Sequence, residues 1–221
     1  MPQAKEGERW RPPRGRHGLP PEVVSRSQRE RLLEATMRVV AEKGYEATTI
    51  ADLAKEAGVS RTTFYELFAD KEACFLAAYE DSANRLARRL SAAYETEERW
   101  PDRVRVTLAA LLEACVADPA GARLALVDAA AAGPAAQRRQ WATVQRLTPL
   151  LDEGRDFAPE GRALPANTSR MAAGAIVGLI TDELLADRTH QLPGLLSDLL
   201  FATLVPYLGP DAAAREVGET T

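Results

Sequence analysis

Apolar residues recur at helical spacing along most of the chain. Leu32, Ala35, Val39 and Val40 mark one face of a first helix, predicted from Ser25 or Ser27 to Lys43 and stopped by Gly44. Arg26, Arg29, Arg31 and Arg38 fall mainly on its other face. Thr48 or Thr49 then caps a short helix whose apolar side is Ile50, Leu53, Ala54 and Ala57, with Asp52 placed to close a capping box. Gly58 supplies the left-handed residue that ends this helix, and Ser60 caps the next. Two short helices about a tight glycine turn describe a helix-turn-helix.

Asp70 caps a long helix through Cys74, Phe75, Ala78, Tyr79, Leu86 and Leu90. Further helices are predicted over about 102–117, 121–131, 135–152, 166–188 and 194–207. A polar loop near 154–165 interrupts them, and Gly209-Pro210 ends the pattern. The fold class read from this pattern is all-α, with about nine helices and no strand.

Composition supports that reading. Aromatics are 6% of the chain, while Ala and Leu, which lose little freedom in a helix, are abundant. Cys74 and Cys115 lack any paired spacing, so no metal site, disulfide framework or cofactor is expected. His17 and His190 have no nucleophile or metal partner in the pattern, and no phosphate-binding glycine loop appears, which argues against an enzyme. The start lacks a signal-peptide core, and no apolar run reads as long enough to cross a bilayer. A reduced, cytoplasmic location without membrane contact is therefore expected.

The net charge of -4 is unevenly spread. Residues 1–71 carry 13 basic against 11 acidic side chains, and residues 1–31 carry 8 against 4. Arg9, Arg11, Arg14, Arg16 and His17 are interleaved with prolines and glycines. They read as a flexible cationic arm that either follows a DNA minor groove or only solubilises the chain.

The string Thr48-Thr49-Ile50-x-x-Leu53-Ala54-x-x-Ala57-Gly58-Val59-Ser60-x-x-Thr63-Phe64-Tyr65-x-x-Phe68-x-x-Lys71-Glu72 resembles the TetR family of bacterial regulators. The resemblance is close over about 27–80; beyond it, only length, helix count and amphipathic character are similar. It implies an N-terminal three-helix DNA-binding unit, a helical ligand-binding and dimerisation part, and a homodimer on a palindromic operator, usually as a repressor. The organisation then reads as a basic arm at 1–24, a helix-turn-helix domain at 25–71 and a sensing and dimerisation domain at 72–221.

On this resemblance the recognition helix runs from Ser60 to about Leu67. Arg61 suits two parallel hydrogen bonds to guanine, and Thr62 suits a thymine methyl or a base edge. Thr49, Thr63, Tyr65 and Lys71 match positions that touch phosphate, and Ser60 lies at the helix start beside them. Partners are thus a double-stranded DNA operator, a small-molecule effector of unknown identity, and a second copy of the chain.

Leu111, Cys115, Trp141, Val144, Gln145 and Met171 are candidate effector-binding residues, with ordinary core packing as the competing role. Asp128 and Asp182 lie among apolar neighbours and either orient a polar ligand or are paired and exposed. Gly174 and Gly178, one turn apart, with Leu196, Leu199 and Leu200 of the last helix, read as the dimer interface. The alternative function is an architectural or partner-regulated DNA-binding protein of the same fold without a small-molecule ligand.

Overall fold

The computed structural model describes residues 20–159 and 163–218. The predicted basic arm falls largely on residues 1–19, outside the described residues, as does 160–162 of the polar loop.

Four helices build the N-terminal part: α1 (Pro21–Ala47), α2 (Ile50–Ala57), α3 (Arg61–Leu67) and α4 (Lys71–Tyr94). Helix α1 starts earlier than its apolar pattern because Pro21 occupies the first turn, where its fixed φ suits a helix and its missing N–H costs nothing. Its helical geometry breaks at Gly44 (φ 78°, ψ 161°), the residue that the sequence pattern chose as the stop.

The remaining helices are α5 (Trp100–Ala117), α6 (Pro119–Arg123), α7 (Ala129–Ala131), α8 (Pro134–Gln145), α9 (Thr148–Asp152), α10 (Thr168–Leu185), α11 (Leu196–Leu208) and α12 (Pro210–Gly218). Among the described residues there is no strand, and nine of the α-helices have seven residues or more. The chain is all-α.

Three elements differ from the periodicity. The predicted 121–131 helix is two short helices joined by a π-helical turn, Leu124–Asp128. The predicted 135–152 helix divides because Pro149 has no N–H to offer the Gln145 carbonyl, which accepts from the Thr148 hydroxyl instead, at 2.8 Å. Finally, Gly209-Pro210 is a corner and not an end. Gly209 (φ 84°) stops α11, and Pro210 opens α12 at its first position.

Two apolar clusters hold the chain together. The first gathers Leu32, Leu53, Phe64 and Phe75, and it extends to Leu124, Ala129 and Ala136. The helix-turn-helix core is therefore continuous with the π-turn and α8. The second joins α5, α10, α11 and α12 through Trp100, Leu112, Ile180, Leu200, Tyr207 and Ala213.

Thr189–Leu208, with a mean hydropathy of 1.2, is long and apolar enough by composition to cross a membrane, contrary to the sequence expectation. Leu192, Leu199, Leu200, Leu204 and Tyr207 within it are buried in the second cluster, so one face of the stretch packs into the core of this fold.

The second cluster is closed at one end by a 3-10 turn, Glu153–Phe157, that presses Gly154 against Trp100 and Tyr207. A Cβ on Gly154 would overlap the Trp100 ring and lie 2.8 Å from Tyr207 Cδ1. Trp100 cannot swing away easily. Its Nε1 donates to the Leu150 carbonyl at 2.9 Å, and the Tyr207 ring packs on it at 5.0 Å between centroids. Gly154→Ala is expected to cost about 2–3 kcal/mol through overpacking, measured by urea unfolding. An unchanged urea midpoint would show that this corner is slack.

Candidate DNA-binding helix pair and internal cavity

The turn between α2 and α3 is fixed by local chemistry. Thr49 Oγ1 accepts from the Asp52 amide at 3.2 Å, and the Thr49 amide donates back to Asp52 Oδ2 at 2.9 Å. This is the predicted capping box, with Thr49 as the cap; the Thr48 hydroxyl donates instead to the Gly44 carbonyl at 2.7 Å. The Lys43 ammonium, 2.8 Å from Asp52 Oδ2, and then the Thr49 hydroxyl and amide hold the Asp52 carboxyl well below the usual carboxylate range.

Gly58 adopts the left-handed conformation at φ 63°, ψ 41°, and the Val59 amide donates to the Ala54 carbonyl at 2.9 Å. Arg31 of α1 donates to the Ala57 carbonyl at 3.0 Å, tying the end of α2 to the first helix. Ser60 Oγ accepts from the Thr63 amide at 2.9 Å and caps α3.

With Phe64 fully buried, α3 turns Ser60, Arg61, Thr62 and Tyr65 outward, and Tyr65 is 52% exposed. Arg61 makes no hydrogen bond or ion pair to another described residue. Thr63 is half-buried, and its hydroxyl lies 2.9 Å from Ser60 Oγ. Thr49 is exposed at the start of α2.

Lys71 departs from its expected role at phosphate. Its ammonium donates to the carbonyls of Tyr45 (2.9 Å), Thr48 (3.0 Å) and Glu46 (3.4 Å), and it lies 4.2 Å from the centre of the Tyr45 ring. An ammonium has three N–H donors. All three are directed at the end of α1, so Lys71 locks α4 to α1.

In the C-terminal part, α4, α5, α6, α8, α9 and α10, with the π-turn region, line a partly open cavity of about 290 Å³. Leu86 and Leu90 of α4, Leu108 and Leu111 of α5, Val144 of α8 and Ile176 of α10 are among its apolar walls. Three of the predicted ligand residues meet there: Leu111, Cys115 and Val144. Burial, and then the Asp118 carboxylate, push the Cys115 thiol up to about 11, leaving it neutral.

Trp141, Gln145 and Met171 do not line the cavity; all three are exposed, Trp141 at 52% and Met171 at 65%. Helical phase is the reason. Gln140, Thr143, Val144 and Leu147 share the inward face of this stretch, which puts positions 141 and 145 on the outer one. On α10, Ala173, Ile176, Val177 and Ile180 face inward, and Met171 sits outside their stripe.

Sequence reasoning missed Thr107, Gln140 and Thr143 as wall residues, and also Arg85 and Arg89 at the rim. The recurrence of Leu86 and Leu90 on α4 was the available signal, since it sets which side of α4 faces the sensing half. Asp128 is buried without lining the cavity; its Oδ2 has no hydrogen-bond partner. Burial raises its pKa to about 6, opposed by Arg123. Asp182 is exposed.

The predicted interface residues also separate. Gly174 and Gly178 lie on the outer side of α10, with no described residue outside their own stretch of helix within 4 Å of a Cβ built on either. Leu199 and Leu200 are 4% and 2% exposed and belong to the second cluster, and Leu196 packs against it half-buried. These leucines are used inside the protomer because α11 turns them toward α5 and α10. Its outer face carries Phe201 and Ala202 instead, while α10 adds Met171, Ala175 and Leu185.

Residues 32–78 match the family described as bacterial regulatory proteins, tetR family. The HTH-type transcriptional repressor AcnR of Corynebacterium efficiens is 38% identical over 65 residues, which are 29% of this chain and 35% of that repressor's length. The match thus spans about a third of that relative. Among solved structures, the transcriptional regulator FadR from Bacillus subtilis in complex with stearoyl-CoA superposes with a TM-score of 0.68 at 18% identity, covering 81% of this chain and 98% of that one. A bacterial regulatory protein in the tetR family from Rhodococcus RHA1 gives a TM-score of 0.63 at 21% identity, covering 80% and 96%. At these identities the structures speak for the fold alone, and the family match is confined to the N-terminal segment. Residues 32–78 thus match the tetR family of bacterial regulatory proteins, and most of the chain shares the fold of solved structures such as these two.

Proposed function

We propose that the protein is a DNA-binding transcriptional regulator that acts as a homodimer on a palindromic operator, repressing until a small molecule fills the cavity. The observation that carries the DNA half is the outer face of α3. Arg61 is exposed and uncommitted, and it sits in the first turn of a helix whose register is set by Gly58, Ser60 and Phe64. Ser60, Thr62, Thr63, Tyr65 and the exposed Thr49 flank it as phosphate or base-edge partners. Lys71 contributes indirectly, by holding α4 against α1. An operator target implies a cytoplasmic location.

The sensing half of the proposal rests on α4. Its first turns place Cys74, Phe75, Ala78 and Tyr79 in the core of the helix-turn-helix, and its later turns place Leu86 and Leu90 in the cavity wall. One rigid helix therefore touches both sites, and a ligand that displaces it reorients α1 to α3. The structure of FadR in complex with stearoyl-CoA supports the idea that a fold of this kind takes a ligand with a long hydrocarbon chain. In domain terms, 25–71 binds DNA, and 72–221 senses the effector and dimerises.

The test begins with an operator selected from a random duplex pool. Arg61→Ala should weaken binding by about 1–3 kcal/mol and relax preference at one base pair of each half-site. A variant with wild-type affinity and sequence preference would remove α3 as the reading helix.

A further inference from the structure

The wall of the cavity selects against charge. Among its wall residues Arg85, Arg89 and Asp118 are charged, and all three are exposed at the rim. Each has a partner: Arg85 pairs with Asp81, Arg89 with Glu113 at 2.9 Å, and Asp118 Oδ1 accepts from the Gly121 amide at 2.9 Å. An ion drawn past this rim meets aliphatic side chains and no free counter-charge, so it loses its hydration without compensation.

The polar groups deeper in the wall are mostly satisfied too. Gln140 Nε2 donates to the Ala125 and Leu126 carbonyls of the π-turn at 3.0 and 3.2 Å, and Thr143 Oγ1 donates to the Arg139 carbonyl at 2.9 Å. Thr107 stands apart. Thr36, Thr143 and Thr181 each bond the carbonyl four residues back, whereas the Thr107 Oγ1 is shut off from water and has no partner. A buried hydroxyl left unpaired is costly. A threonine in a helix has two accessible χ1 wells, so rotation can offer this hydroxyl to a molecule in the cavity.

We propose that the cavity takes an uncharged, largely hydrocarbon molecule with one hydrogen-bonding group, of the alkyl alcohol, ketone or ester class, anchored by Thr107 Oγ1. This rests on the reading of the cavity as the effector site. The volume of about 290 Å³ lies near the lower bound of small-molecule pockets, which suits a compact molecule. Anchor and wall then divide the work: the aliphatic side chains supply affinity, and the hydroxyl supplies orientation.

Calorimetric titration of the full chain at pH 8 with 1-decanol, decanoate and decylammonium tests the assignment. The alcohol should bind at least about tenfold more tightly than either ion. Thr107→Val should lower affinity for the alcohol by about five- to tenfold, the loss of one hydrogen bond, at an unchanged or higher melting temperature of the free protein, since the unpaired hydroxyl is removed. Thr107→Ser, which keeps the hydroxyl, should retain it. An ion binding as tightly as the alcohol, or no binding by any of the three, overturns the ligand class. Wild-type affinity in the valine variant overturns the anchor. The same probes added to the selected operator complex separate this proposal from the effector reading. Selective decanol binding with no change in operator affinity sinks the effector role and leaves the ligand class intact. Operator release by an ion but not by decanol does the reverse.

Discussion

Leu199→Asp is expected to unfold the C-terminal part of the protein and not merely to split a dimer. Leu199 is 4% exposed within a single protomer, in the cluster that joins α5, α10 and α11. Removing a buried leucine side chain costs about 2–5 kcal/mol by itself, and the aspartate must also give up its hydration without a partner. The total, about 5 kcal/mol or more, is comparable to the whole stability of many domains. Circular dichroism should show lost helix at 25 °C or a steep fall in melting temperature, in dilute and concentrated samples alike. A well-folded monomer from this variant would place Leu199 at a subunit contact after all.

The contrast between what the sequence revealed and what it hid follows from the range of the interactions involved. Thr49, Gly58, Ser60 and Asp70 act within three or four residues of themselves, through caps and one left-handed turn. Such signals survive in a one-dimensional reading, and the helix-turn-helix was legible from them. Nothing comparable marks the inner side of α8. Trp141 is apolar, as pocket walls mostly are, yet the face that lines the cavity is chosen by how the helix rolls onto α4 and the π-turn.

Helix α11 posed a related problem. Leu196, Leu199, Leu200, Phe201, Leu204 and Val205 crowd so much of its circumference that periodicity alone does not say which side meets the protomer and which meets solvent or a partner. The π-turn and the Gly209-Pro210 corner were hidden for another reason. Leu124–Asp128 holds no helix breaker, so periodicity reads straight through it, whereas Gly209 and Pro210 ordinarily end a helix and here also open the next one. Lys71 was misread because its acceptors, the carbonyls of Tyr45, Glu46 and Thr48, lie more than twenty residues away.

Gly178→Trp is the complementary experiment, and its expected effect falls on assembly alone. Among the described residues, nothing beyond its chain neighbours and its own helix backbone lies within 4 Å of a Cβ at this position, so the protomer can carry a large side chain there. Replacing a glycine inside a helix should even raise protomer stability slightly. A second copy seated on the outer side of α10 would need the close approach that Gly174 and Gly178 permit, alongside the exposed Met171, Ala175 and Leu185. The indole blocks that approach. Sedimentation should therefore report a folded monomer, and affinity for the two-site operator should fall at least about a hundredfold, because each half-site is then bound without the effective concentration that dimerisation provides. Arg61→Ala weakens reading at each half-site but keeps the dimer, so the two variants separate recognition from assembly. A dimer that survives the tryptophan would move the subunit contact away from α10, and the outer face of α11 around Phe201 would be the next surface to block.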